Sequence, residues 1–260
     1  MSVIHVVKIG GKIIEQQDLL ARALDGITRL EGPKVLVHGG GTTATRLASR
    51  LGVETTMING RRVTDAAMLE VVELAYCALN KKLVSLLQAR NCDAIGVCGA
   101  DLDLIRARKR TGWDVDYGFV GDIEEVKGSH VLELLRNDFM PVFAPLTHDG
   151  NGQVLNTNAD TIAAEVAASL ELYAPVRLVY CFELPGLLRD PKDPESCINV
   201  LGAHEYEQLK ADGIISGGMI PKLDNAFNAL KEGVMQVVIC SPDALPQLNA
   251  PVFPGTIISN

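Results

Sequence analysis

The sequence predicts an α/β fold, a three-layer α/β/α sandwich with a central, mostly parallel sheet, arranged as two lobes of one domain over residues 1–260. Two observations carry that reading. Short apolar runs of strand length recur along the chain, among them Val35-Leu36-Val37, Val142-Phe143-Ala144 and Val237-Val238-Ile239-Cys240, and residues at helical spacing fill the intervals. Strands that alternate with helices are joined by crossovers, which run the strands parallel and cover both faces of the sheet. No low-complexity linker or repeat breaks the pattern, so two lobes fit better than two separable domains.

The first strand is Ile4-His5-Val6-Val7-Lys8-Ile9, and it exits through Gly10-Gly11. Lysine is rarely fully buried unless paired, and bare glycine backbone admits a ligand closely. A cation beside free N–H groups suits a phosphate, although an edge strand with Lys8 in water is equally compatible. Leu19, Leu20, Ala23, Leu24, Ile27 and Leu30 then mark a helix that Gly32-Pro33 stops. The second strand exits through His38-Gly39-Gly40-Gly41 into a helix that reaches Leu51. Asn59-Gly60-Arg61-Arg62 reads as a turn, and Thr64 or Asp65 can cap a long helix toward Arg90. That helix is apolar on most sides, so it is buried or meets a partner chain.

Ala94-Ile95-Gly96-Val97-Cys98 reads as another core strand. Residues 105–126 alternate in short pieces with Gly112, Gly118 and Gly121, which suits hairpins. Arg106, Arg108 and Arg110 make one strand face basic, and a solvated face is the expected reading. His148-Asp149-Gly150-Asn151-Gly152 is a turn between short strands, and a helix follows from about Asn158 to Leu170. A strand over 178–182, a polar loop over 189–196 and helices near 204–211 and 221–231 come next, with Thr256-Ile257-Ile258 closing the sheet edge.

A formal net charge of −8 argues against a nucleic-acid surface. The six cysteines are scattered without a C-x-x-C pair, which reads as reduced core thiols with no metal site and no disulfide frame. No signal-peptide pattern or membrane-length apolar run is present, so a cytoplasmic protein is expected.

Two strands thus exit into glycine clusters at the carboxyl edge of a parallel sheet, where ligands bind. Gly39-Gly40-Gly41-Thr42-Thr43-Ala44 also satisfies the dinucleotide fingerprint, but the acidic ribose partner roughly twenty residues on would fall near Asn59, and the motif follows the second strand. A Rossmann dehydrogenase is therefore disfavoured. No Walker A loop and no protein-kinase signature occurs. In Asn156-Thr157-Asn158-Ala159-Asp160, Asn158 can cap a helix and Asp160 complement its dipole. In Gly217-Gly218-Met219-Ile220-Pro221-Lys222, a lysine stands in a helix's first turn, where the dipole disfavours it, hinting at an anion. Arg62 offers a fork suited to a carboxylate.

With Asn80-Lys81 and Gly118-Phe119-Val120-Gly121, these motifs stand in an order that resembles the acetylglutamate kinases of the amino acid kinase family, in their compact form. The resemblance implies ATP-dependent phosphorylation of the γ-carboxylate of an N-acyl-L-glutamate, in arginine biosynthesis, with Mg²⁺ carried on the ATP phosphates. Acetyl and a bulkier acyl group such as succinyl are both compatible. It also implies roles. Lys8 and Lys222 contact the transferring phosphoryl group, Asp160 holds both ammonium groups, and Gly10 and Gly11 offer N–H groups. Gly40, Gly41, Arg62, Asn156 and Asn158 bind the acylated amino acid. Glu183, Leu184, Pro185, Gly186, Leu187 and Leu188, with Ile214, Ile215 and Ser216, serve ATP. Phe182-Glu183 departs from the Ser/Thr-Asp pair of most relatives. Residues 1–172 would form the acyl-amino-acid lobe and 173–260 the ATP lobe. Only seven residues precede Lys8, which implies a homodimer through the helix near Thr64 without the arginine-inhibited hexamer. Sister kinases of glutamate, aspartate, carbamate or a nucleoside monophosphate stay open, as does a non-catalytic nucleotide-binding regulator.

Phosphorylating a carboxylate brings two anions together, so positioning and fixed positive charge suffice and no covalent nucleophile is needed. Lys8→Ala and Lys222→Ala are each expected to lower kcat by about 10²–10³, the scale of one lost transition-state donor. Near-normal turnover in both variants overturns this mechanism.

Overall fold

In the computed structural model the described residues are 2–58, 60–112, 114–190, 192–215, 217, 219–250 and 252–259. Asn59, Ser216 and Gly218 of the motifs above lie outside the described residues.

β1 (Ile4–Ile9) is buried along its whole length, and Gly10 leads into the short α1 (Gly11–Glu15). α2 (Gln17–Arg29) buries the Leu20, Ala23, Leu24 and Ile27 stripe. β2 (Lys34–His38) passes through Gly39-Gly40 into α3 (Gly41–Leu51), which ends on left-handed Gly52. β3 (Met57–Ile58) and β4 (Arg61–Arg62) form a small antiparallel hairpin. The Asp65 carboxylate accepts from the Met68 N–H at 2.8 Å and caps α4 (Ala66–Gln88). β5 (Ala94–Val97), β6 (Ile105–Lys109), β7 (Gly121–Val126), α5 (Gly128–Arg136), β8 (Met140–Phe143), β9 (Leu146–His148) and β10 (Val154–Asn156) follow. Asn158 Oδ1 accepts from the Asp160 and Thr161 N–H groups at 2.8 and 3.1 Å, capping α6 (Ala159–Glu171). The chain continues through β11 (Val176–Cys181), β12 (Val200–Gly202), α7 (Ala203–Ala211), α8 (Met219–Lys231), β13 (Gln236–Cys240) and β14 (Thr256–Ser259). Among the described residues no helix is long and apolar enough to cross a membrane.

The chain divides by packing into two compact units, Met1–Val35 with Ala163–Asn260, and Leu36–Ile162. This grouping differs from lobes drawn at 1–172 and 173–260 in placing the first strand with the C-terminal part of the chain. In the first unit the strand order is β12-β14-β13-β11-β1. β1, β11 and β13 run parallel, with Lys8 opposite Tyr180 and Cys181 opposite Cys240. In the second unit β2, β8 and β5 run parallel in that order, and a second sheet has the order β10-β9-β6-β7. Its core packs Ala44 and Ala48 of α3 against Met68, Val71, Val72, Ala75 and Tyr76 of α4.

The sheet is large and mostly parallel, as the strand–helix alternation implies, but four local readings change. β14 does not close an edge: it lies between β13 and the short β12, which has too few residues to show a pattern. β5 has only β8 beside it, and Ile95 is accordingly 36% exposed. Arg61 and Arg62 form a strand where a turn was expected, because they pair with Met57 and Ile58. Of the basic face, Arg106 and Arg108 do stand partly in water, 2.7 Å from Asp103 and 3.8 Å from Glu124, but Arg110, just past β6, is withdrawn from solvent and pairs with Asp122.

His5 and His38 are buried, and desolvation above all lowers the pKa of each from 6.5 to about 4. Between pH 6.5 and 4 the unfolded chain takes up protons that the folded one refuses. Stability is therefore expected to be full above pH 6.5 and to fall as pH drops toward 4, by up to about 3 kcal/mol per histidine. Urea midpoints at pH 7.5, 5.5 and 4.5 check this, and His38→Asn removes one histidine's share of the slope.

Candidate active site

All five residues expected to bind the acylated amino acid line one cavity of about 180 Å³ within the Leu36–Ile162 unit. Gly40 and Gly41 form its helix-end side, β4 brings Arg62, and the segment from β10 into α6 brings Asn156 and Asn158. Gly40 has a packing reason to be glycine: a Cβ there would meet the Tyr76 ring at 2.6 and 2.7 Å. Tyr76 therefore lies directly beneath the strand exit and lines the cavity.

His38 holds that exit from the core side. Its Nε2 lies 3.2 Å from Asn80 Nδ2, an amide donor, so Nε2 accepts and Nδ1 donates to the Gly39 carbonyl at 2.7 Å. Asn80 Nδ2 also donates to the Val142 carbonyl at 2.8 Å. A fully buried imidazole so engaged positions backbone and does not meet substrate.

Arg62 is buried. Its Nη2 donates to the Gly41 carbonyl at 2.9 Å and to Thr45 Oγ1 at 2.7 Å, while Nη1 lies 3.4 Å from Thr55 Oγ1. Asn156 donates to Thr64 Oγ1 at 3.0 Å, and the Thr64 hydroxyl donates to the Arg62 carbonyl at 3.2 Å. Burial raises the Tyr76 hydroxyl pKa against the lowering effect of the nearby Arg62 charge. Asp160 lies in the first turn of α6, one residue beyond Ala159 of the cavity wall. The cavity thus offers a helix N-terminus, amides and guanidinium groups with no acid in its lining, a combination that suits a carboxylate-bearing ligand.

In the other unit, Lys8 is buried on β1 with Tyr180 as its register partner, which removes the alternative of an edge lysine in water. The Lys222 ammonium lies 5.0 Å from the centroid of the same Tyr180 ring. Tyr180 is thereby a common neighbour of the two expected catalytic lysines. The Gly10 N–H donates to the Cys181 carbonyl at 3.3 Å, while Gly11, as the first residue of α1, has no intrahelical acceptor for its own.

Glu183, at the exit of β11, pairs with Lys12 at 2.6 Å, and the Lys12 pKa rises through that hydrogen bond and charge. Leu184 and Pro185 are half-buried. Gly186 is buried where a Cβ would meet Cys197 Sγ and Thr256 Oγ1, each at 2.6 Å. Leu187 and Leu188 are core side chains, so only backbone could serve a ligand there. Ile215 is buried, Ile214 is exposed, and Ser216 lies outside the described residues.

The amino acid kinase family model matches residues 4–241. The chain belongs to the amino acid kinase family. It is 52% identical over 241 residues to a protein named acetylglutamate kinase from Phocaeicola vulgatus, covering 92% of this chain and 94% of that one. The Cytophaga hutchinsonii protein of that name is 47% identical over 250 residues, 95% of each chain. Among solved structures, the N-acetylglutamate synthase of Neisseria gonorrhoeae, complexed with coenzyme A and N-acetyl-glutamate, aligns at TM-score 0.83 and 25% identity. It matches 99% of this chain, which spans 59% of that protein. Carbamate kinase from Giardia lamblia, at TM-score 0.70 and 14% identity, shares the fold.

The sequence reading had missed Tyr76, Arg61, Met57 and Val120 in the cavity lining, and the Lys12–Glu183 pair. Tyr76 stands in an apolar helix and carries no spacing signal; Lys12 and Glu183 are 171 positions apart. Gly40→Ala is expected to cost about 1–3 kcal/mol through overpacking against Tyr76. Thermal unfolding checks this, and an unshifted Tm means that the ring has room to move.

Proposed function

We propose that this protein is an ATP-dependent kinase that phosphorylates the γ-carboxylate of N-acetyl-L-glutamate, or of another N-acyl-L-glutamate, to an acyl phosphate in arginine biosynthesis. The observation that carries the reading is the 52% identity over 92% of the chain to an acetylglutamate kinase. The cavity that collects Gly40, Gly41, Arg62, Asn156 and Asn158 supports it from the side of the acceptor.

The chemistry asks for positioning and positive charge where two anions meet. Lys8 and Lys222 supply the charge, Asp160 a balancing carboxylate, and the strand exit a backbone donor at Gly11, the Gly10 N–H expected beside it being taken by the Cys181 carbonyl. The acceptor carboxylate is already ionised at neutral pH, so no general base is required, which agrees with an imidazole at His38 turned into the core. The segment Glu183 to Leu188, with Ile214, Ile215 and Ser216, serves the nucleotide, and Mg²⁺ enters on the ATP phosphates. The protein works in the cytoplasm as a homodimer along α4, where Leu74 is 61% exposed, an assembly that sedimentation equilibrium reads directly.

The deciding experiment is ATP-dependent hydroxamate formation in the presence of hydroxylamine, run with N-acetyl-L-glutamate, N-succinyl-L-glutamate, free glutamate and aspartate. Turnover on an N-acylglutamate and none on the free amino acids is expected. Turnover on a free amino acid alone would move the protein to a sister kinase, and no hydroxamate with any acceptor overturns the reading.

A further inference from the structure

We infer that Arg61 is a carboxylate-recognising residue of the acceptor cavity, distinct in role from its neighbour Arg62. The inference rests on the kinase reading and deepens it by assigning a second cation to the substrate.

Both arginines line the cavity, yet their donors are spent differently. Arg62 donates to the Gly41 carbonyl and Thr45 Oγ1 and reaches toward Thr55, so its fork ties the wall together. Among the described residues none accepts a hydrogen bond from the Arg61 guanidinium; its charged neighbours are Arg110 and Asp122. Asp122 is shared between two cations, because its Oδ1 accepts from Arg110 Nε at 2.9 Å and from Arg110 Nη2 as well. One guanidinium charge is therefore left over at a cavity whose lining holds no acid. Burial and the Arg110 charge both press on that cation, and an incoming carboxylate would relieve them. A planar fork with unspent donors matches a carboxylate in bidentate fashion, which an acetyl methyl or an amide does not offer. The carboxylate has two sources in an N-acylglutamate: the α-carboxylate, or one borne by the acyl group itself.

The test compares wild type, Arg61→Gln and Arg61→Lys with N-acetyl-L-glutamate and N-succinyl-L-glutamate in the hydroxamate assay. Arg61→Gln is expected to raise the acceptor KM by about 10- to 100-fold, the range for a lost charge-assisted hydrogen bond. The kcat should stay within about twofold and the KM for ATP should not move. Arg61→Lys, which keeps the charge without the fork, should fall between. A rise with both acceptors assigns the α-carboxylate, and a rise with the succinyl compound alone assigns the acyl carboxylate; either supports the inference. Unchanged acceptor KM in active variants, or a loss confined to kcat, overturns it and leaves the kinase reading intact. A wild-type enzyme inactive on both acceptors overturns both.

Discussion

The cavity of the Leu36–Ile162 unit depends on one buried guanidinium. Taking an arginine side chain out of water costs several kcal/mol unless its donors find partners, and Arg62 finds them in the first turn of α3. That requirement docks the β3–β4 hairpin onto the helix that follows the second glycine exit. The hydrogen-bond chain from the Arg62 carbonyl through the Thr64 hydroxyl to the Asn156 amide then carries the constraint to β10. Three segments distant in sequence are held by satisfying one cation and its own backbone. A loss at Arg62 would leave polar groups unpaired along that whole line, a heavier penalty than the absence of a single contact.

The other unit handles charge by a different route. Lys8 is buried on β1 opposite Tyr180 of β11, and the ring of that tyrosine is the base on which Lys222 rests. A ring face attracts an ammonium without neutralising it, so Tyr180 can position Lys222. The pair Lys12–Glu183 joins the start of α1 to the exit of β11. Lys12 is largely in water, so this bridge contributes orientation at low ionic strength more than stability.

What was legible in the sequence follows from range. The strands with unbroken apolar runs, the glycine exits, the Asp65 and Asn158 caps and the helical stripes are encoded within a few residues, and each formed where its pattern lies. The five residues expected to bind the acylated amino acid stand in motifs in order, and one cavity gathers them. Features set by partners far along the chain were not. β12 is a three-residue strand that exists because β14 supplies its hydrogen bonds. Arg61 is one letter beside Arg62, and nothing local distinguishes a spent fork from an unspent one. The acid at Glu183 stood as a departure from the usual pair until its lysine, 171 residues away, came into view.

The close approach of Gly40 to Tyr76 has a counterpart at Gly96, where a Cβ would meet Asn80 Oδ1 at 1.9 Å. Asn80 is also the donor to His38. A side chain larger than glycine at position 40 therefore needs Tyr76 to give way, and one at position 96 needs Asn80, the residue that holds His38, to move. Enlarging Gly40 or Gly96 alone gives a less well packed protein, and a compensating reduction at Tyr76 or Asn80 is what would restore the fit.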